Sequence, residues 1–167
     1  MLELTTKQKD LLLEYREKME AKCRVFEARE SYEMAFIALW AVPENFLKQV
    51  ELWSRQKKQH ALMKEWAEYL DNTGEADATG RKPPEDSNIG TISTKLPRGL
   101  PDYTRVLRKE YASCTSVLKL VGTGEKYRRK RNAIFHSADS LSKDKYFNDY
   151  KIMLEAAIEE LYALMAP

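Results

Sequence analysis

Residues 147–164 read FNDYKIMLEAAIEELYAL, and the apolar positions Phe147, Tyr150, Leu154, Ala157, Leu161 and Leu164 follow one another in alternating steps of three and four. That spacing lines the six side chains along one side of an α-helix and does not fit a strand, whose period is two. A seam of this kind belongs to a helix packed in a bundle.

The rest of the chain carries the same period. Leu12, Tyr15, Met19, Cys23 and Phe26 mark an amphipathic helix, with Thr5 or Thr6 as its N-cap. Met34–Val42 is apolar all round, including Phe36, Ile37, Leu39 and Trp40. A helix without a polar face is either central in its bundle or covered by a partner chain. Pro43 is expected to kink or interrupt it, and the pattern resumes at Phe46, Val50, Trp53, Met63, Trp66 and Leu70. Residues 71–101 hold four of the six glycines and four of the six prolines and no aromatic residue, and read as an exposed loop. After Pro101, with Asp102 as cap, Tyr103, Leu107, Tyr111, Cys114, Leu118 and Val121 form another stripe, which Gly122-Thr123-Gly124 ends. A short basic helix follows over about Glu125–His136, then a polar turn and the final helix. With no strand pattern and no repeat, the expected fold is all-α: a single domain over 1–167, an up-and-down bundle of four to five helices.

Composition agrees. Apolar residues make up 43% and charged residues 32%, as in ordinary globular chains, and the net charge of +2 supplies no global field for nucleic acid. Any such partner must meet a local patch. Cys23 and Cys114 are widely spaced, with no CxxC pair, so two reduced core thiols are expected and no zinc site. The polar N-terminus is no signal peptide, and the longest apolar run, nine residues, falls well short of the ~20 needed to cross a bilayer. The expectation is a cytoplasmic protein with no membrane partner and no cofactor.

The segment with chemistry is Lys126-Tyr127-Arg128-Arg129-Lys130-Arg131-Asn132-Ala133-Ile134-Phe135-His136, in which five of the first six residues are basic. RNA carries its own nucleophile, the 2′-hydroxyl. Its cleavage needs a base for that proton, charge stabilisation at phosphorus and an acid for the 5′-oxygen. Histidine titrates nearest neutrality and serves as base or acid. Arginine is always charged and grips phosphate oxygens in pairs. No acidic cluster accompanies them, so a two-metal phosphodiesterase is not indicated. In a helix Tyr127, Arg131 and Ile134 share one face, and an arginine on an apolar stripe requires a partner. Asn132 and His136 share a second face, and His136 falls about 140° around from Arg131. A long arginine side chain, a frayed helix end or a second copy across a dimer would close that gap. By itself, an arginine followed five residues later by a histidine arises by chance in many proteins and reads as a solvated basic helix end.

Arg131-Asn132-Ala133-Ile134-Phe135-His136 resembles the RNxxxH form of the Rx4–6H motif of HEPN domains, and it stands, as there, before a turn and one last amphipathic helix. Phe36–Trp40 followed by Glu44-Asn45-Phe46-Leu47 resembles the aromatic-rich earlier helix of some HEPN families. The resemblance implies a homodimer that brings two motifs into one cleft. It also implies metal-independent endoribonuclease activity leaving 2′,3′-cyclic phosphate ends, as in toxin–antitoxin and phage-defence effectors. On that analogy His136 is the acid/base group, Arg131 stabilises phosphate charge and Asn132 orients the pair. Lys126, Arg128, Arg129 and Lys130 hold the RNA backbone. One toxin subgroup has a tyrosine two residues after the motif histidine, the target of its antitoxin. Ala138 stands there here, which disfavours that cognate antitoxin. The family also contains non-catalytic members, so a module that binds RNA or a partner protein is the alternative. A generic helical adaptor is the third reading, and it predicts that Arg131 and His136 lie far apart and exposed, away from any cleft. His60 is expected to be a surface or structural residue, Tyr127 a packing residue, and Trp40, Trp53 and Trp66 core or dimer contacts.

Overall fold

The structure is a computed structural model that describes residues 2–73, 111–121, 126–137 and 147–165. Those residues contain no strand, and the helical bundle expected from the sequence is what they form. The helices are α1 (Thr6–Ala28), α2 (Tyr32–Thr73), α3 (Thr115–Val121), α4 (Lys126–Ser137) and α5 (Asn148–Ala163). The chain divides into two compact units, Met1–Leu47 with Pro97–Pro167, and Lys48–Leu96.

α1 starts with a reciprocal cap. The Thr5 hydroxyl accepts from the Gln8 amide at 3.3 Å, and the Gln8 side-chain oxygen accepts from the Thr5 amide at 3.0 Å, so two donors the helix cannot satisfy itself are matched. It stops without a glycine. Ser31 N–H donates to Phe26 and Glu30 N–H to Glu27, a Schellman closure with Glu30 in the left-handed region at φ 57°.

In the first unit α5 is the hub. Its Tyr150, Leu154, Ala157, Ile158, Leu161 and Tyr162 are buried, as its three–four spacing requires. α1 runs antiparallel to it: Tyr162 Oη donates to the Leu12 carbonyl at 2.8 Å, Arg16 pairs with Glu159, and Lys151 pairs with Glu27 at 2.8 Å. The first part of α2 runs parallel to it through aromatic pairs. Tyr32 meets Phe147 at 5.3 Å, Phe36 meets Tyr150 at 5.4 Å and Phe46 meets Tyr162 at 5.1 Å between ring centres. Such tilted rings add to the gain from burial.

Three expectations need correction. α2 is continuous through Pro43. A proline inside a helix costs ~3 kcal/mol, but Val42, Pro43, Phe46 and Leu47 are all buried, and tertiary packing sustains the helix where propensity opposes it. Residues 71–73 belong to α2 and not to the loop, while 74–101 lie outside the described residues. Tyr111 and Cys114 are buried as the stripe requires, but the chain turns there, with Cys114 N–H donating to Tyr111, and α3 begins after that turn, at Thr115. The Glu160 carboxylate of α5 accepts from the Ser116 amide at 2.8 Å and the Val117 amide at 3.1 Å, capping α3 from a neighbouring helix. Tyr103 and Leu107 lie outside the described residues.

The all-apolar segment is central. Ala35, Phe36, Ala38, Leu39, Trp40 and Val42 are buried within the chain itself, so no partner chain is needed to cover it. Trp40 is core, while Trp53 and Trp66 are half-buried. In the second unit α2 carries a Glu51–Arg55 ion pair at 2.7 Å, a Trp66–Tyr69 edge contact at 5.8 Å, and His60 on its exposed surface. Cys23 and Cys114 are free and buried.

Candidate functional site

α4 carries all seven residues that the sequence nominates. Its inward side is set by Tyr127 and Ile134, both buried. Tyr127 meets Tyr150 of α5 edge-on at 5.4 Å, which docks the helix on the hub. Arg131 shares that stripe, and its position explains its environment. Its side chain is 27% exposed and stands 3.7 Å from the carboxylate of Glu44 on α2, itself 13% exposed. Nη1 donates to the Asn132 side-chain oxygen at 3.1 Å, and the guanidinium carbon stands 4.5 Å from the centre of the Phe135 ring. Nε is out of solvent with no acceptor. Arg131 is therefore held on three sides by its own chain.

Glu44 also faces Tyr15 of α1. Burial first, and the Glu44 charge second, push the Tyr15 hydroxyl above its ordinary pKa. The acid thus stands between the first helix and the motif helix within the first unit.

The outward side is polar. Arg129 and Asn132 are exposed and Lys130 is half-exposed. The side chains of Lys126, Arg128 and His136 lie outside the described residues. The backbone of α4 is helical through Ser137, so a frayed end does not bring position 136 round to 131. The two positions stay about 140° apart on the axis. The side-chain reach of Arg131 or a second chain is left to join them.

Two residues of this cluster escaped the sequence reading. Glu44 is a lone acid directly after an apolar run, a pattern that signals a buried ion-pair partner. Phe135 is four residues beyond Arg131, next to it on the helix surface and at the edge of the apolar stripe. Half of its surface is exposed.

A cleft of about 470 Å³ opens between α1 and α5 over Cys23, with Arg16, Glu20, Glu27, Lys151 and Glu159 on its walls. Its charges are paired with one another, Lys151 with Glu27 and Arg16 with Glu20 and Glu159, and no residue of α4 lines it. The Glu27 hydrogen bond raises the Lys151 pKa. Burial pushes the Cys23 thiol up to about 11, which leaves it a poor nucleophile at neutrality.

Among the described residues, no three His, Cys, Asp or Glu side chains gather as a metal site, and no helix is long and apolar enough to cross a membrane. No family model, curated protein or solved structure matches the chain.

Proposed function

We propose that the protein is a metal-independent endoribonuclease that acts as a homodimer and cleaves RNA to 2′,3′-cyclic phosphate ends. One observation supports this above the rest: a half-buried arginine, fixed by an acid from another helix, on a helix whose outward side is basic and whose sequence places a histidine five residues on. In the reaction, the 2′-hydroxyl loses its proton to a base, its oxygen attacks phosphorus, and the bond to the 5′-oxygen breaks. That oxygen takes a proton from an acid and leaves as a 5′-hydroxyl. Imidazole groups at His136 serve as base and acid. The Arg131 guanidinium balances charge on the phosphorane, where a fixed donor stabilises the transition state most.

The test compares wild type with His136→Ala on total RNA and a tRNA pool in EDTA, with the cut ends read chemically. Discrete cleavage by wild type alone, with cyclic phosphate ends, is the expected outcome. A folded, dimeric wild type that cuts nothing refutes it.

The contacts of Arg131 favour one second reading. A guanidinium that ties α4 to α2 through Glu44 is also a structural element, as a non-catalytic module that binds RNA or a partner protein would need. RNA retention without cleavage, unchanged by His136→Ala, identifies that case.

A further inference from the structure

Phe135 is the one exposed aromatic side chain among the described residues; every other described Phe, Tyr and Trp is buried or half-buried. It stands on the motif helix, four residues from Arg131, whose guanidinium lies over its ring at 4.5 Å. Asn132, exposed beside it, holds Nη1 of the same guanidinium. Arg129 is exposed on the same helix and Lys130 half-exposed. An aromatic ring left in water next to cations is the arrangement that proteins use for single-stranded nucleic acid: cations follow the phosphates and rings receive the bases.

We propose that Phe135 is a stacking platform for an unpaired RNA base, so that the substrate is single-stranded where it crosses α4. Arg131 braces the ring through a cation–π contact, which keeps it in place before RNA arrives. A base laid on the ring sets its own phosphate beside Arg131, while Arg129, about 160° around the helix from Arg131, meets a phosphate further along the strand. Base identity is read weakly, because every base has a π-face. Double-stranded RNA is excluded, since its bases are stacked on each other and have no face to give. The proposal rests on the reading above only in taking RNA as the ligand, and it does not require cleavage.

The test measures binding of a fluorescein-labelled, 2′-O-methylated oligoadenylate, which lacks the nucleophile and so stays intact. Phe135→Ala weakens binding ~5- to 150-fold, the range for loss of one stacked base, and Phe135→Trp restores it. An oligonucleotide with abasic positions binds wild type and Phe135→Ala alike, because the partner of the ring is already gone. The salt dependence of binding keeps its slope in Phe135→Ala, whereas Arg129→Ala lowers the slope by about 0.7, the share of one phosphate contact on a single strand. Equal binding by wild type and Phe135→Ala overturns the proposal. So does a Phe135→Ala protein that changes from dimer to monomer with its RNA affinity intact, which would assign the ring to a second copy of the chain. A wild type that does not bind the oligonucleotide overturns this proposal and the RNA reading together. Base-dependent binding by a wild type that cuts no RNA supports the platform and removes only the nuclease reading.

Discussion

The Glu44–Arg131 pair decides whether α4 is a fixed part of the bundle. At 3.7 Å, two unit charges attract by about 4.5 kcal/mol in an effective dielectric of roughly 20. That figure is a ceiling. Arg131 retains 27% of its exposure, and the separation is too long for a charge-assisted hydrogen bond. Exposed pairs are worth at most ~1 kcal/mol, and breaking a buried one costs ~3–5 kcal/mol. The present pair lies between these limits, so Glu44→Gln is expected to cost about 1–2 kcal/mol. Arg131→Met takes the guanidinium away from the Glu44 carboxylate and costs about as much. The double variant loses less than the sum, by about 1–2 kcal/mol of coupling, because each change removes the same interaction. Urea unfolding of the four proteins at neutral pH measures that coupling directly. Additive costs would show that the pair does not hold Arg131, and the account of α4 as a braced helix would be wrong.

Tyr162→Phe removes the buried bond to the Leu12 carbonyl, and is expected to cost ~1 kcal/mol, or ~2–4 °C in Tm by calorimetry; an unchanged Tm refutes a role for that bond between α1 and α5. Burial raises the folded Cys23 pKa from 9.0 to about 11, so between those values the folded state binds more protons than the unfolded one. Stability present below pH 9 is therefore lost as pH rises toward 11, by about 3 kcal/mol at most. The advantage of wild type over Cys23→Ala in urea should shrink across that window, and parallel curves would contradict it. If one Arg131 and one His136 act on a phosphate from different chains and a single imidazole suffices, a mixture of Arg131→Ala and His136→Ala proteins, each inactive alone, regains activity on subunit exchange. A mixture that stays inactive despite exchange shows that one such pair across the two chains is not enough.

The helices were legible because burial imposes a period. Each stripe residue of the last helix from Phe147 to Leu161 is buried, and so are Leu12, Met19 and Cys23 of the first. What the period missed was decided by contacts distant in sequence. Pro43 forecast a kink or an interruption, and the helix is not interrupted, with the residues around the proline buried. Helix was expected from Asp102, but at Tyr111–Cys114 the chain turns, and the cap of the following helix, Glu160, is more than forty residues away. No local signal could announce either. The end of α1 was silent for a different reason: the left-handed residue is a glutamate, where composition searches for glycine. In the site, the stripe did show that Arg131 needed a partner, and it could not name Glu44, which belongs to another helix.

The state of the arginine bears on what it can still bind. A guanidinium has five N–H donors. Nε is out of solvent and beyond the reach of any substrate. Nη1 gives one hydrogen to Asn132, and Nη2 stands loosely by Glu44 at 3.7 Å. Neither contact uses both hydrogens of its nitrogen, so both terminal nitrogens keep a donor for a phosphate oxygen. The ties that orient the group therefore do not exhaust it. A phosphate that takes those donors meets a cation whose rotamer is already restricted by Glu44 and Phe135, and less entropy is lost on binding than with a free surface lysine. An arginine on the stripe of a short basic helix thus has two parts: its Nε is buried in the bundle, and its two terminal nitrogens each keep a donor for an anion.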